Sequence, residues 1–298
     1  MKNKLILYHA NCYDGFGSAY AAWKKFGDDA EYIPVNYGQN APDVVGKNVY
    51  ILDFAYDPET LQKMSDQANL LVVIDHHKTH QENLKLQLSS KEEIEDFMET
   101  FKDIIVYRKK IFLCIFDINK SGAVLSWEFF HPSSPVPEFF LYLQDRDLWK
   151  FELDQSREVS QALRAYPFDF KIWDFIIENE NKVSSSLEQL KKEGKTINRF
   201  TEQMVEIMCN NAYIGIVQGH KVPIANATIF FSEVGERLCE LYPDCPFSLY
   251  YLDRKDGKRQ YGLRSEGDFD VSEVAKAYGG GGHKNSAGFT LDKKILAF

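Results

Sequence analysis

Short apolar runs typical of buried β-strands alternate with helical patterns through the first half of the chain. The runs are KLILY (4–8), AEYIPVNY (30–37), NVYILDF (48–54) and LLVVIDHH (70–77), and a helical pattern, PETLQKMSDQA (58–68), separates the last two. Strands that alternate with helices favour a parallel sheet covered by helices on both faces. The sequence therefore predicts an α/β fold for this part of the chain.

Histidine and aspartate residues follow several of these predicted strands. In an open parallel sheet, ligands bind in a crevice at the carboxyl ends of the strands. Imidazole and carboxylate groups that meet there are suitable ligands for the divalent metals that act on phosphates. A further acidic cluster lies in LQDRDLW (143–149), at the end of a predicted helix. The candidate residues are His9, Asp14, Asp53, Asp75, His76, His77, Asp145 and Asp147.

The second half of the chain has a different texture. Residues 171–208 are largely helical and rich in Lys and Glu, and β-like runs with a turn at DGK (256–258) begin at about residue 211. A charged surface excursion is predicted at 81–110. We predict a parallel-sheet α/β domain, a helical linker and a smaller α/β substrate-binding domain, at 1–185, 186–210 and 211–298.

Charge and composition limit the partners and the compartment. Lys and Arg number 35 against 44 Asp and Glu, a net charge of −9, whereas a protein that holds long nucleic acid needs a basic surface. We therefore expect a small anionic substrate and no long nucleic acid. No apolar run is long enough for a bilayer span, and the five cysteines form no CxxC pair. These features predict a cytoplasmic protein without membrane contact, which could form a homodimer.

Five motifs occur in the order typical of one enzyme family. They are YHANCYDGFGSAYAAW (8–23), ILDF (51–54), DHHKT (75–79), LQDRDLW (143–149) and YGLRSEGDFDVSEVAKAYGGGGHKNSAGF (261–289). In these motifs the chain resembles the DHH phosphoesterase superfamily, which includes RecJ-like exonucleases, nanoRNases and manganese-dependent pyrophosphatases. The last motif resembles the DHH-associated C-terminal domain. The resemblance covers nearly the whole chain.

The resemblance implies a site for two divalent metal ions, most often Mn²⁺. It implies that His9 binds the first ion and that Asp53 bridges both. For the second ion it implies Asp14, His76 and Asp147, with Asp145 as the alternative to Asp147 because the sequence offers D-R-D.

The resemblance also implies how substrate is held. His77 would contact the substrate phosphate, and Asp75 would orient the histidines. The second domain would grip the far end of the substrate through an arginine and a glycine-rich loop whose backbone N–H groups approach phosphate closely. The residues in question are Arg264, Gly280, Gly281, Gly282 and His283.

One position departs from the family pattern. The first motif usually reads D-x-D-G, but here it reads Cys12-Tyr13-Asp14-Gly15, so the first ion would lose a carboxylate. Cys12 could bind a softer metal, Asn11 could supply an oxygen, or water could fill the position. A nucleophilic role for Cys12 is the less favoured alternative, since metal-activated water suffices for phosphodiester hydrolysis.

The function expected from these features is a metal-dependent phosphodiesterase of the oligoribonuclease type. Its substrate would be a short oligoribonucleotide or a linear dinucleotide such as pGpG, hydrolysed to mononucleotides. The motifs NCYDGFG and QDRDLW resemble the nanoRNase and linear-dinucleotide branch more than the RecJ branch. The alternatives are a phosphomonoesterase or pyrophosphatase acting on a small phosphate compound, and a nucleotide-binding sensor whose first metal site has decayed at Cys12.

Overall fold

A computed structural model of the chain describes residues 2–78, 80, 111–178 and 186–292, so the predicted excursion at 81–110 lies outside the described residues. The chain divides into two compact units, Met1–Lys195 and Thr196–Phe298. In the described ranges, no helix combines the length and the apolar character that a membrane span requires.

The first unit is built on a parallel sheet of five strands in the order β2-β1-β3-β4-β5. After β1 the chain forms β2 on one side of β1 and then β3 on the other side. The strand order therefore reverses between β1 and β3. Ligands of open α/β sheets bind at the carboxyl ends of the strands beside such a point. The parallel sheet confirms the predicted fold class. Its strands are β1 Lys4–His9, β2 Ala30–Val35, β3 Asn48–Leu52, β4 Leu70–Asp75 and β5 Ile111–Phe116.

Two hydrophobic cores cover the two faces of this sheet. Successive strand residues point to opposite faces, so Ile6 joins the larger core with α1, α3, α4, α5 and α6, whereas Leu5 and Leu7 join the smaller core against Leu61 of α2. The helices are α1 Tyr13–Phe26, α2 Pro58–Gln67, α3 Gly122–Phe130, α4 Glu138–Asp147, α5 Ser156–Leu163, α6 Phe170–Glu178 and α7 Ser186–Cys209.

Helix α1 begins earlier than its sequence suggests. The pattern SAYAAWKKF (18–26) predicts a helix, but in the structure this helix begins at Tyr13, so that Asp14 lies in its first turn. Two glycines in this turn are required by packing: a Cβ on Gly15 would lie 2.3 Å from the carbonyl oxygen of His9, and one on Gly17 would lie 2.9 Å from Leu143. Tertiary packing therefore outweighs the low helix propensity of glycine.

The second unit has a six-stranded sheet in the order β10-β11-β9-β8-β7-β6, in which only the β7–β8 pair is parallel among the described strands. With its helices it confirms a second α/β domain. The domain limits 1–185, 186–210 and 211–298 stay a prediction, although α7 occupies most of the proposed linker. The elements are β6 Tyr213–Val217, β7 His220–Asn226, α8 Phe231–Leu241, β8 Ser248–Asp253, β9 Lys258–Arg264, α9 Val271–Ala277, β10 Gly281–His283 and β11 Ser286–Asp292.

The glycine-rich segment is only partly the loop that the sequence suggested. Gly281–His283 form β10, which pairs with β11 in a hairpin. A Cβ on Gly280 would lie 2.1 Å from the carbonyl oxygen of Gly288, and Gly282 has a φ of +143°. Glycine is therefore required here for close strand packing, whatever else these residues contact.

Candidate metal centre

Asp53 lies between two histidines at the carboxyl end of β3. Its side chain is 1% exposed, with Oδ1 3.2 Å from Nε2 of His76 and Oδ2 3.3 Å from Nδ1 of His9. The residue adopts a φ of +61°, and its backbone N–H donates to the carbonyl of Ile74 on the neighbouring strand. A non-glycine residue in this left-handed region is uncommon and often marks a functional position.

His76 faces three carboxylates. Besides Asp53, its Nε2 lies 3.7 Å from Oδ2 of Asp14 and 3.4 Å from Oδ2 of Asp147, and its side chain is 1% exposed. The three carboxylates come from α1, the end of β3 and the end of α4. The fold therefore brings together residues that are far apart in the sequence, as the strand-end argument predicted.

The cluster divides into two sets of metal-ligating atoms. The donor atoms of His9, Cys12 and Asp53 lie within 4.8 Å of one another, and so do those of Asp14, His76 and Asp147. Asp53 also groups with His76, so its carboxylate lies between the two sets. Carboxylate and imidazole are the ligands that Mn²⁺, Zn²⁺ and Fe²⁺ use in proteins.

Several atoms of the cluster are buried without an ordinary hydrogen bond in the described part of the chain. They are Nδ1 of His9, both carboxylate oxygens of Asp53 and Oδ2 of Asp147. A buried polar atom that makes no hydrogen bond costs free energy of folding. These oxygens and the ring nitrogen lack hydrogen bonds within the described residues and lie close to one another, which is the arrangement expected of atoms that bind a cation.

The pKa values reflect an excess of negative charge. Burial by itself would raise the pKa of Asp53, but the imidazoles of His76 and His9 hold it below its ordinary value. Burial would lower the pKa of His76, but Asp53, Asp147 and Asp14 raise it well above the ordinary value. Burial and then repulsion by Asp53 and Asp147 raise the pKa of Asp14. A cation would relieve this repulsion.

Helix α3 fixes the carboxylate of Asp14. Its Oδ2 accepts a hydrogen bond of 2.6 Å from the backbone N–H of Gly122, and its Oδ1 accepts one of 3.0 Å from Ala123. The N-terminus of a helix favours a negative charge. Gly122 is needed because a Cβ there would lie 2.7 Å from Oδ1 of Asp53. The SGA turn at 121–123 resembles a family element near the substrate, but the sequence gives no sign of this packing role of Gly122.

Asp75 orients two histidines from a fully buried position. Its Oδ1 accepts from the backbone N–H of His76 at 2.8 Å and lies 2.7 Å from Nδ1 of His77, while its Oδ2 lies 2.5 Å from Nδ1 of His80. The interactions with His77 and His80 outweigh burial and lower the pKa of Asp75. His80 is not among the candidate residues named from the sequence, although it lies three residues after His77 in DHHKTH (75–80).

Asp145 and Asp147 have different surroundings. The Asp145 carboxylate accepts backbone hydrogen bonds of 3.0 Å from Glu152 and 3.1 Å from Leu153, and thereby fixes the turn that follows α4. Asp147 is the one that approaches His76. The pattern EFFLYLQDRDLWKF predicts a helix over 138–151, but in the structure helix α4 already ends at Asp147.

We expect the two aspartates to differ when each is replaced. Asp145→Ala should lower the free energy of unfolding by about 1–3 kcal/mol, since the backbone N–H groups of Glu152 and Leu153 lose a charged acceptor in two part-buried hydrogen bonds, while the folded protein keeps its metal affinity. Asp147→Ala should lower metal affinity roughly tenfold with little change in stability. Denaturant unfolding and metal titration of both variants would check this. The opposite pattern would make Asp145 the ligand.

Asn11 and Cys12 occupy the turn between β1 and α1. The Asn11 side chain is exposed, and its amide donates to Oδ1 of Asn36 at 3.3 Å. Cys12 is the N-cap residue of α1, but its side chain makes no capping hydrogen bond. Burial and the carboxylates of Asp53, Asp147 and Asp14 raise the pKa of its thiol well above the ordinary value.

The predicted residues of the second unit lie around the β9–β10–β11 edge of its sheet. Arg264 ends β9, pairs with Ser286 of β11 in register, and is 6% exposed. His283 ends β10 opposite Ser286. Lys284 donates to Asp268 at 3.1 Å.

A cavity of about 320 Å³ adjoins the cluster within the first unit. Its wall contains the guanidinium group of Arg146, tyrosine rings and the hydroxyl group of Ser160 next to the carboxylates. Groups of these kinds suit part of a nucleotide. Its lining includes His9, Asn11, Cys12, Tyr13, Asp14, Tyr142, Arg146, Asp147 and Ser160.

Comparison with known proteins gives relatives over most of the chain. Residues 234–297 match the DHHA1 domain. An uncharacterized protein of Acanthamoeba polyphaga mimivirus is 31% identical over 312 residues, which cover 96% of this chain and 67% of that protein. Oligoribonuclease NrnB of Bacillus subtilis (strain 168) is 24% identical over 318 residues, 97% of this chain and 73% of that protein.

Among solved structures, the DHH domain of a member of the s1p family of ribosomal proteins has a similar fold. It aligns with a TM-score of 0.55 at 14% identity, over 96% of this chain and 82% of that chain.

Proposed function

Because the chain belongs to the DHH superfamily of phosphoesterases and carries a DHHA1 domain, we propose that it is a metal-dependent phosphodiesterase for short oligonucleotides or linear dinucleotides. The observation that carries the proposal is the Asp53 carboxylate, which has one oxygen beside His9 and the other beside His76. A carboxylate in this position is suited to bridging two cations. The expected products are mononucleotides.

The residues present fit two divalent ions, which we propose to be Mn²⁺. His9 and Asp53 would hold the first, and Asp14, Asp53, His76 and Asp147 the second. When bound, such ions supply positive charge that stabilises both the attacking and the leaving oxygen of an in-line displacement at phosphorus.

His77 is placed to act on the substrate through its second ring nitrogen. Oδ1 of Asp75 lies 2.7 Å from Nδ1 of His77 and accepts the backbone N–H of the same residue at 3.3 Å, so one buried oxygen holds both the ring and the backbone of His77. With Nδ1 held, Nε2 is the atom that would contact the phosphate. Nδ1–H would donate to Asp75, and in the protonated ring Nε2–H would donate to a phosphate oxygen.

Two observations support a nucleotide substrate over inorganic phosphate. The cavity beside the cluster, about 320 Å³, falls within the size range of small-molecule sites, and it offers Arg146 and Tyr13 to a base or a ribose. The relative from Bacillus subtilis bears the name oligoribonuclease. Arg264, Gly280, Gly281, Gly282 and His283 stay our proposed contacts for substrate, and a cytoplasmic location and a homodimer stay predictions.

A panel of substrates tests the proposal. The purified chain is assayed on pGpG, oligoribonucleotides of two to six residues, pyrophosphate and a 3′,5′-bisphosphorylated nucleoside, each with Mn²⁺, Mg²⁺ or a chelator. Metal-dependent release of mononucleotides from the shortest substrates is the expected result. Phosphate release from the last two compounds alone would indicate a phosphomonoesterase or pyrophosphatase, and tight dinucleotide binding without turnover would indicate a sensor.

Replacing each of the two neighbouring histidines should have a different effect, on metal binding for His76 and on substrate binding for His77. His76→Ala should reduce metal affinity by about 10- to 100-fold and activity with it, because its Nε2 faces the carboxylates. His77→Ala should reduce kcat/KM roughly tenfold or more while the metal content stays at the wild-type value. Metal analysis by mass spectrometry and kinetics on both variants would measure this. Equal metal loss in both would contradict the division of roles.

A further inference from the structure

The thiol of Cys12 lies beside the half-buried imidazole of His9 and the buried carboxylate of Asp53. Its Sγ, a ring nitrogen of His9 and a carboxylate oxygen of Asp53 lie within 4.8 Å of one another. Atoms bound to a single ion at metal–ligand distances of about 2.0–2.3 Å lie roughly 3–4.6 Å apart. The three atoms are therefore close enough to bind one cation with small side-chain adjustments.

A second observation points to a ligand at this position. Both oxygens of Asp53 and Nδ1 of His9 are buried and, within the described ranges, lack an ordinary hydrogen bond. Asp53 is 1% exposed, so its carboxylate oxygens have almost no access to bulk solvent. The thiol thus lies beside polar atoms that lack partners in the protein.

The thiol of Cys12 lies near the backbone N–H of Gly15 in the first turn of α1 but makes no capping hydrogen bond. The residue is the N-cap of α1 with an extended backbone, yet it is the carbonyl oxygen, and not the side chain, that accepts the N–H of Phe16. Two other cysteines behave differently, because the thiols of Cys209 and Cys239 donate to backbone carbonyls.

We infer that Cys12 is a metal ligand and that the first metal position is a sulfur–nitrogen–oxygen site for a thiophilic divalent cation such as Zn²⁺, Fe²⁺ or Co²⁺. The second position, formed by Asp14, His76 and Asp147, offers oxygens and one imidazole and suits Mn²⁺ or Mg²⁺. The two positions would thus hold different metals, with Mn²⁺, proposed above for both, kept at the second position and replaced at the first. This inference rests on the proposed metal-dependent function.

The binding step balances as an exchange of a proton for a cation. The S–H bond of Cys12 breaks, its proton passes to solvent, and the sulfur electron pair forms the bond to the metal. The neighbouring carboxylates repel a bare thiolate, but a divalent cation reverses the sign of the local charge. The thiol of Cys12 therefore loses its proton when the cation binds.

Cobalt(II) titration of the full chain, freed of metal by a chelator, tests the inference. Thiolate bound to Co²⁺ gives an intense near-ultraviolet charge-transfer band, whereas oxygen and nitrogen ligands do not. We expect the band in the wild type, saturating at one thiolate per chain, and its loss in Cys12→Ser and Cys12→Asp. The control Cys245→Ser removes another partly exposed free thiol and should keep the band.

Metal competition gives a second readout that does not use activity. Cys12→Asp should lower the Zn²⁺-to-Mn²⁺ affinity ratio at least tenfold, and Zn²⁺ should protect Cys12 of the wild type from alkylation where Mn²⁺ does not. Co²⁺ binding without the band would overturn the inference and leave the proposed function intact. Failure of the wild type to bind any divalent cation would overturn both.

Discussion

Replacing Asp53 with Asn should lower kcat/KM on dinucleotides at least about a thousandfold and leave the protein folded. The variant removes negative charge from the one carboxylate that faces both histidines, so both proposed ions lose a ligand. A thousandfold loss corresponds to about 4 kcal/mol of transition-state stabilisation, within the several kcal/mol that metal ions contribute. Asn is chosen because it tolerates the left-handed backbone of this position, with a φ of +61°, better than Ala.

The control for this experiment is Asp57→Asn. Asp57 accepts the backbone N–H of Thr60 at 2.9 Å as the N-cap of α2, and Asn serves equally well in that role. The Asp57→Asn protein should keep the turnover and the melting temperature of the wild type. Metal content, circular dichroism and kinetics are measured on both variants. Wild-type turnover by a folded Asp53→Asn protein would refute the two-metal assignment.

The sequence allowed the general position of the site to be predicted, because it depends on topology. His9, Asp53 and His76 each follow the carboxyl end of a strand or end it, and parallel strands bring these ends to one edge of the sheet. Once strands β1, β3 and β4 had been recognised, their meeting around one point followed. The roles of the individual residues stay predictions.

The details that the sequence could not supply depend on helix ends and on close packing. The string D-R-D does not reveal that α4 ends at Asp147 and that the Asp145 carboxylate is occupied by the following turn. The glycines of NCYDGFG give no helical signal, although Gly15 lies in α1, where only a residue without a Cβ can pack against the carbonyl of His9. Contacts of this kind depend on packing in the folded chain and leave no periodic pattern in the sequence.

The glycine-rich C-terminal stretch shows the same limit. Its composition suggested a phosphate-binding loop, whereas Gly281–His283 pair with β11 as a strand. Glycine permits both a phosphate contact and the close approach of two strands, so its presence alone did not distinguish them.

Gly122→Ala should lower metal-dependent turnover strongly without removing any proposed ligand. The added methyl group would lie 2.7 Å from Oδ1 and 2.8 Å from Cβ of Asp53, and 3.0 Å from Oδ2 of Asp14. Either the two carboxylates or the start of α3 must move, and a displacement of about 1 Å in a catalytic arrangement can cost about a hundredfold in rate. We therefore expect at least that loss in kcat/KM, together with weaker metal binding.

Gly17→Ala is the matched control, since its new methyl group would also be crowded, at 2.9 Å from Leu143 and 3.0 Å from Ala123, but against apolar atoms only. It should lower the free energy of unfolding by about 1–3 kcal/mol, the usual cost of overpacking, and leave the activity of the folded fraction near wild type. Urea unfolding of both variants separates a loss of activity in the folded protein from a loss of stability.

If a folded Gly122→Ala protein bound metal and turned over substrate like the wild type, the close packing of α3 against Asp14 and Asp53 would have no part in positioning the carboxylates. If instead only Gly122→Ala lost metal affinity, the glycine at the start of α3 would be as necessary to the site as the carboxylates, because it alone leaves room for them to approach His76 from two sides.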